Sequence, residues 1–180
     1  MNAVVSHENE LLLNTVQCFL KDEIYPHEDA VDRSGEVPLE LGRQIEARAK
    51  EVGLFAANLP EAVGGGGLNY TSSSIVEREY GKTTHALQSW IARPTELLLA
   101  CEGDQVARYL DPCVTGEKRE LFALTEPEAG SDLAAIQTKA SVDGGELIIS
   151  GQKVWTSRAE ISRYNALLVR TDPEATPHRG

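Results

Sequence analysis

The chain has 180 residues, 41% hydrophobic and 25% charged, with a formal net charge of −11. That balance is ordinary for a globular protein and excludes a disordered chain. The acidity disfavours non-specific nucleic-acid binding, and no apolar run approaches the ~20 residues of a membrane-spanning helix.

Residues 7–25 read as an amphipathic helix, with Ser6 placed to cap it and Glu8 and Glu10 favourably set in its first turn. Leu12, Val16, Phe19, Leu20 and Ile24 follow helical spacing, and Pro26 marks the expected end. A second helix begins near Pro38 as its first residue, buries Leu41, Ile45, Ala49 and Val52, and closes at Gly53. Gly64–Gly67 then read as a flexible connector. They lack the lysine and hydroxyl of a P-loop, and Asn69 stands where a GxGxxG finger needs its last glycine. Helical patterns resume over 70–82 (Ile75, Val76, Tyr80), over 86–101 (Leu87, Trp90, Ile91, Leu97, Leu98, Leu99) with a kink or break at Pro94, and over 104–113 (Val106, Tyr109, Leu110).

Near residue 118 the period changes. Leu121–Leu124 is a short apolar run, residues 136–142 alternate loosely, Asp143-Gly144-Gly145 reads as a hairpin turn, and 146–150 is its partner strand. Gly151-Gln152 turns the chain into a further strand at Lys153–Ser157, and residues 165–171 form another. Helices followed by strands without alternation give an α+β class. The expectation is an all-α N-terminal domain over 1–118, with the break near Gly116, and an incomplete antiparallel β-barrel or sheet domain over 119–180. So few strands do not close a sheet, which suggests that the chain stops inside a domain.

Cys18, Cys101 and Cys113 are odd in number and widely spaced, so neither a disulfide framework nor a zinc site is expected. Cys18 and Cys101 fall in apolar helical patterns and read as small packed hydrophobes. The start, MNAVVSHENE, lacks the regions of a signal peptide. A reducing, cytoplasmic setting is expected. His7, His27, His85 and His178 have no metal-ligand spacing.

Two segments stand apart from generic core. In Leu121–Asp132, LFALTEPEAGSD, the Thr125 hydroxyl comes at a strand end and Pro127 forces a turn that exposes successive N–H groups. Gly130 permits close backbone approach and Ser131 adds a donor. Glu126 and Glu128 argue against a purely electrostatic phosphate site. The simpler account is an ordinary turn between strands. In the second segment, Trp155 and Ser157 stand two apart, so on a strand they share a face suited to an aromatic ring that also needs a hydrogen bond. A half-buried strand tryptophan is the plainer reading there.

Together, LFALTEPEAGSD and GQKVWTS resemble the FAD-binding signature of the acyl-CoA dehydrogenase family, a TEPxAGSD block followed by a G-x-K-x-W-[IT]-[TS] block. The helical first half, with Pro60, Glu61, Gly64 and Gly65 in a Pro-Glu-x-x-Gly-Gly loop, is similar to that family as well, so the resemblance covers the whole chain. It implies that Phe122, Ala123 and Leu124 lie along the flavin and that Thr125 hydrogen-bonds its pyrimidine side. Gly130 and Ser131 sit near the pyrophosphate, Ser131 also near the acyl-CoA substrate. Trp155 packs beside the ring with Thr156 next to it, and Ser157 donates toward N5. Arg158 replaces a small or amide residue of the family.

The implied reaction is α,β-dehydrogenation of an acyl-CoA thioester, set in fatty acid metabolism. A carboxylate removes the α-proton while hydride passes from the β-carbon to flavin N5. In the family that carboxylate is a glutamate of a C-terminal helical domain, which would follow residue 180. No catalytic residue is therefore assigned here. Glu61, Glu77, Glu96, Glu126 and Glu128 are poor candidates for the base, Glu77 and Glu96 being expected at the surface or in structural pairs. Arg93-Pro94 reads as a helix kink, with lining of the acyl pocket as the alternative. An electron-transfer flavoprotein is the implied acceptor and a homo-oligomer the implied assembly. The alternatives are an acyl-CoA oxidase or flavin monooxygenase on the same scaffold, or a non-catalytic truncated subunit.

Overall fold

The structure, a computed structural model, describes residues 6–157, 159, 161–176 and 179–180; Arg158 and His178 lie outside the described residues. The chain forms two compact units, Met1–Gly116 and Glu117–Gly180.

In the first unit, α1 (His7–Phe19) starts where Ser6 Oγ accepts the Asn9 N–H at 3.2 Å. Pro26 does not end this helix. A π-helical turn, Leu20–Ile24, intervenes, with the Tyr25 N–H donating five residues back to the Leu20 carbonyl, and α2 (Tyr25–Ser34) continues beyond it. Proline has no N–H to donate and would collide with the carbonyl four residues back. Widening the turn just before it removes the conflict. The helix stops instead at Gly35, at φ 74°. α3 (Leu39–Glu51) is preceded by Pro38 as its extended cap, one place earlier than the sequence suggests. Its Gly42 is required: a Cβ there would stand 2.2 Å from the Trp90 ring.

α4 (Tyr70–Tyr80) is capped by Asn69, whose side chain accepts the Ser72 N–H. The expected 86–101 helix is reduced to α5 (His85–Gln88) and a 3₁₀ segment, Glu96–Ala100. Between them the backbone is drawn to the loop after α3: Ala56 N–H donates to Ala92 O, and Asn58 Nδ2 to Pro94 O. Leu87 and Ile91 remain buried, but Leu97 and Leu99 are exposed. A second π-helical turn, Val106–Leu110, precedes α6 (Asp111–Val114) with its Pro112. The core gathers side chains from α1 to α6, including Phe19, Ile24, Ile45, Leu59, Tyr80 and Leu110. Cys18, expected inside, is exposed, because the buried stripe of α1 runs through Val16 and Phe19 and turns residue 18 outward. Cys113 is buried and Cys101 partly so.

The four-glycine segment is a packed ribbon, where a flexible connector was expected. The amides of Gly64, Gly65, Gly66 and Gly67 donate to the carbonyls of Glu61, Pro60, Ala56 and Leu59. With those N–H groups engaged, the segment offers no phosphate cradle.

The second unit holds β1 (Glu120–Ala123), β2 (Lys139–Asp143), β3 (Glu146–Ser150) and β4 (Tyr164–Leu167). β2 and β3 form the expected antiparallel hairpin, from Lys139↔Ser150 to Asp143↔Glu146, through Gly144 and Gly145 at φ 58° and 87°. Positive φ at both loop residues suits a twist-matched two-residue turn. β1 pairs with β4 in parallel, Glu120↔Tyr164 to Ala123↔Leu167. The long connection between them makes a parallel crossover possible, whereas the sequence reading was of an antiparallel sheet. Both sheets have two strands and neither closes. Lys153–Ser157 is not a strand; the chain there is irregular, with Trp155 at φ 57°. Among the described residues no helix is long and apolar enough to cross a membrane.

Candidate functional site

β1 alternates, with Leu121 and Ala123 buried and Phe122 exposed, and it delivers Leu124 and Thr125 half-buried at its end. Pro127 then folds the chain into a tight loop in which Glu126 N–H donates to Ala129 O at 2.9 Å and Ala129 N–H returns to Glu126 O at 3.3 Å. Those two amides, expected to face an anion, are thus engaged inside the turn. Past the loop, the amides of Gly130 and Ser131 find no acceptor among the described residues, and both residues are exposed. Asp132 accepts the Ala134 N–H and caps the short turn Leu133–Ala135.

Glu126 points inward. Its carboxylate accepts the Gln137 N–H at 2.7 Å, the Thr138 N–H at 2.9 Å and Lys153 Nζ at 2.8 Å. The same ammonium donates to Leu124 O at 2.8 Å. Both side chains are more than nine-tenths buried, at 8% exposure for Lys153 and 5% for Glu126. Burial pushes the Glu126 carboxyl up, but Lys153, Thr138 and the Gln137 amide outweigh it and hold its pKa at about 2. The outward face therefore keeps only Glu128 of the two glutamates, and the objection to an anion on that face is halved.

The second signature segment is fastened beside the first. Val154 N–H donates to Thr125 O at 2.9 Å. Trp155, next in the chain, is 89% exposed, Thr156 is half-buried and Ser157 exposed. Trp155 and Ser157 do not share a strand face, since no strand forms; the indole is instead presented by a left-handed backbone. Gly151 is held for internal reasons: its φ is 155°, and a Cβ would meet Thr138 Oγ1 at 2.4 Å. Gly130 is the opposite case. Its φ is not left-handed, and a Cβ would meet nothing within 4 Å. No contact among the described residues calls for glycine there, as fits a backbone that a bound group approaches closely.

The sequence reading missed the Glu126–Lys153 pair. Its only signal was one opposite charge in each of two segments 27 residues apart. In the helical unit, Arg93 is engaged by Glu77 and lies 5.6 Å from the centre of the Tyr80 ring, so Glu77 has the expected structural role. Among the described residues no three His, Cys, Asp or Glu side chains are grouped to hold a metal ion.

Residues 6–117 match the family model of the acyl-CoA dehydrogenase N-terminal domain, and residues 121–180 that of the acyl-CoA dehydrogenase middle domain. The chain belongs to the acyl-CoA dehydrogenase family. Among curated relatives, a 3-(aryl)acrylate reductase of Clostridium sporogenes is 30% identical over 93% of this chain and 45% of its own length. A (2S)-methylsuccinyl-CoA dehydrogenase of Cereibacter sphaeroides is 33% identical over 98% and 32%. A caffeyl-CoA reductase–Etf complex subunit of Acetobacterium woodii is 30% identical over 93% and 45%. Among solved structures, an acyl-CoA dehydrogenase from Geobacillus kaustophilus superposes with a TM-score of 0.80 at 30% identity, over 100% of this chain and 48% of that one. One from Bacillus anthracis, complexed with FAD, gives 0.76 at 25%, over 93% and 30%. The chain thus spans less than half the length of these acyl-CoA dehydrogenase relatives.

Proposed function

We propose that this chain supplies the helical domain (1–118) and part of the middle β-domain (119–180) of a flavoenzyme that oxidises acyl-CoA thioesters at the α,β bond. The observation that carries the reading is the Val154–Thr125 hydrogen bond, which joins both halves of the signature into one platform. Phe122, Ala123, Leu124, Thr125, Gly130, Ser131, Trp155, Thr156 and Ser157 would hold FAD there, with Ser131 also toward the acyl-CoA. The flavin, when bound, supplies the hydride acceptor. Membership of an FAD-dependent family and the FAD-bound relative support this cofactor. We assign no catalytic base within the 180 residues.

The relatives named for aryl acrylate and methylsuccinyl substrates argue against restricting the acyl group to a straight fatty chain. The reductases among them favour, as a second reading, the same chemistry run toward saturation. The Etf-complex relative supports an electron-transfer flavoprotein as redox partner. Free thiols support a reducing compartment such as the cytoplasm, and a homo-oligomeric full-length parent completes the proposal.

The test is a titration of the chain with FAD, read by flavin fluorescence, beside an assay with acyl-CoA and an artificial electron acceptor. Saturable binding too weak to survive gel filtration is expected, with no turnover. Absence of saturable binding removes the flavin reading; turnover by the isolated chain removes the assignment of the base elsewhere.

A further inference from the structure

The residues of the two signature segments fall into two physical groups. Gly130, Ser131, Trp155 and Ser157 are exposed, and no interaction among the described residues accounts for their identity. Glu126, Gly151 and Lys153 are accounted for internally, by the buried carboxylate cluster and by the close approach of Gly151 to Thr138. We infer that Lys153 and Glu126 are positioning residues, a buried ionic clip that fixes the backbone leading into Trp155 against Thr125 before any flavin arrives. This rests on the flavin reading for its purpose, though not for its geometry.

The geometry is specific. Lys153 Nζ bridges Leu124 O and Glu126 Oε1, so it grips the chain on both sides of Thr125. The next residue, Val154, donates to the carbonyl of Thr125 itself. Glu126 in turn is anchored to the Gln137 and Thr138 amides at the entry to β2. Three stretches of chain, 124–126, 137–138 and 153–154, thus meet at one carboxylate. Trp155, at a positive φ and 89% exposed, has no packing of its own to hold it. Its position depends on the residues immediately before it. A pair so buried adds little net stability over an apolar pair of the same shape, and its attested value is to select one arrangement. Removing one partner leaves the other charge buried and uncompensated.

The test uses the full 180-residue chain and two readouts. The first is amide hydrogen exchange at Val154 without flavin. Lys153→Met and Glu126→Gln should each raise that exchange roughly tenfold or more, while Lys153→Arg retains most of the protection. Lys82→Met, which removes one of the ion pairs at Glu79, a buried carboxylate of the helical unit, serves as the control and should leave Val154 unchanged. The second readout is FAD titration with the visible absorbance band of the bound flavin. Lys153→Met should weaken binding on the order of tenfold and shift the band toward that of free FAD, with recovery in Lys153→Arg. Far-ultraviolet circular dichroism checks that the helical unit remains folded, and the Arg variant carries the test if Met does not fold. Unchanged Val154 exchange in Lys153→Met, or wild-type flavin affinity and spectrum in it, overturns the clip. A wild-type chain that binds no flavin, with exchange still raised in the variants, supports the clip as an ordering device and sinks the flavin reading alone.

Discussion

Two glycines separate what the chain needs for itself from what a ligand would need. Gly151 combines φ 155° with a Cβ position 2.4 Å from Thr138 Oγ1, so a methyl group there strains the backbone and collides with a buried side chain. Gly130 has neither constraint. Gly151→Ala should therefore destabilise the protein by about 1–3 kcal/mol, and Gly130→Ala should stay within about 0.5 kcal/mol of wild type while losing flavin affinity. Denaturant unfolding and FAD titration of both variants check this. A Gly130→Ala chain that binds FAD as wild type would remove Gly130 from the proposed site. Sequence alone could not divide the two, since each glycine stands in a recognised block. What divides them is the space around the missing Cβ. The same holds for Glu126: as a letter it looks like an exposed acid in a turn, and only the fold shows that the carboxylate is turned inward onto Lys153 and two amides.

At the level of elements, α1, α3 and α4 were legible from periodicity, and the start of α1 from Ser6 as well, whereas the Asn69 cap of α4 emerged only in the structure. The failures have common physical causes. Pro26, read as a helix end, follows a five-residue π-helical turn, as Pro112 also does, so the helix widens ahead of the proline and continues. Around Pro94, hydrogen bonds from Ala56 and Asn58, far away in sequence, replace helical ones. The Gly64–Gly67 run read as flexible because glycine is locally permissive, yet its amides bind back onto residues 56–61. Gly65 decides between those two descriptions. A Cβ there would lie 2.2 Å from Leu59 O, and its φ is not left-handed, so the cost of a substitution is steric alone. Gly65→Ala is expected to lower stability by about 1–3 kcal/mol, read as a lower melting temperature. An unchanged melting temperature would restore the flexible connector. The irregular 151–157 segment was illegible for another reason: no strand neighbour holds it, and its shape comes from a side-chain ammonium and one backbone bond.

For the molecule as a whole, the decisive contrast is in how much each unit buries. The helical unit has a continuous core in which Leu20, Ile24, Ile45, Leu54, Leu59 and Leu87 are 2% exposed or less. Among the described residues of the second unit, the buried apolar side chains are Leu121, Ala123, Ala129, Ile136 and Ala140, three of them alanines. Every residue of β3 is exposed, Ile148 and Ile149 included. Apolar burial is the main favourable term in folding, at about 25 cal/mol per Å², and alanines remove little area from water. A unit of this size must also offset the conformational entropy of every residue it orders. Residues 1–118 expressed alone should therefore give a helical circular dichroism spectrum and a single cooperative thermal transition. Residues 119–180 alone should show no cooperative transition. A cooperative transition in the isolated 119–180 segment would mean that the Glu126–Lys153 cluster and the two small sheets hold that unit without a larger apolar core.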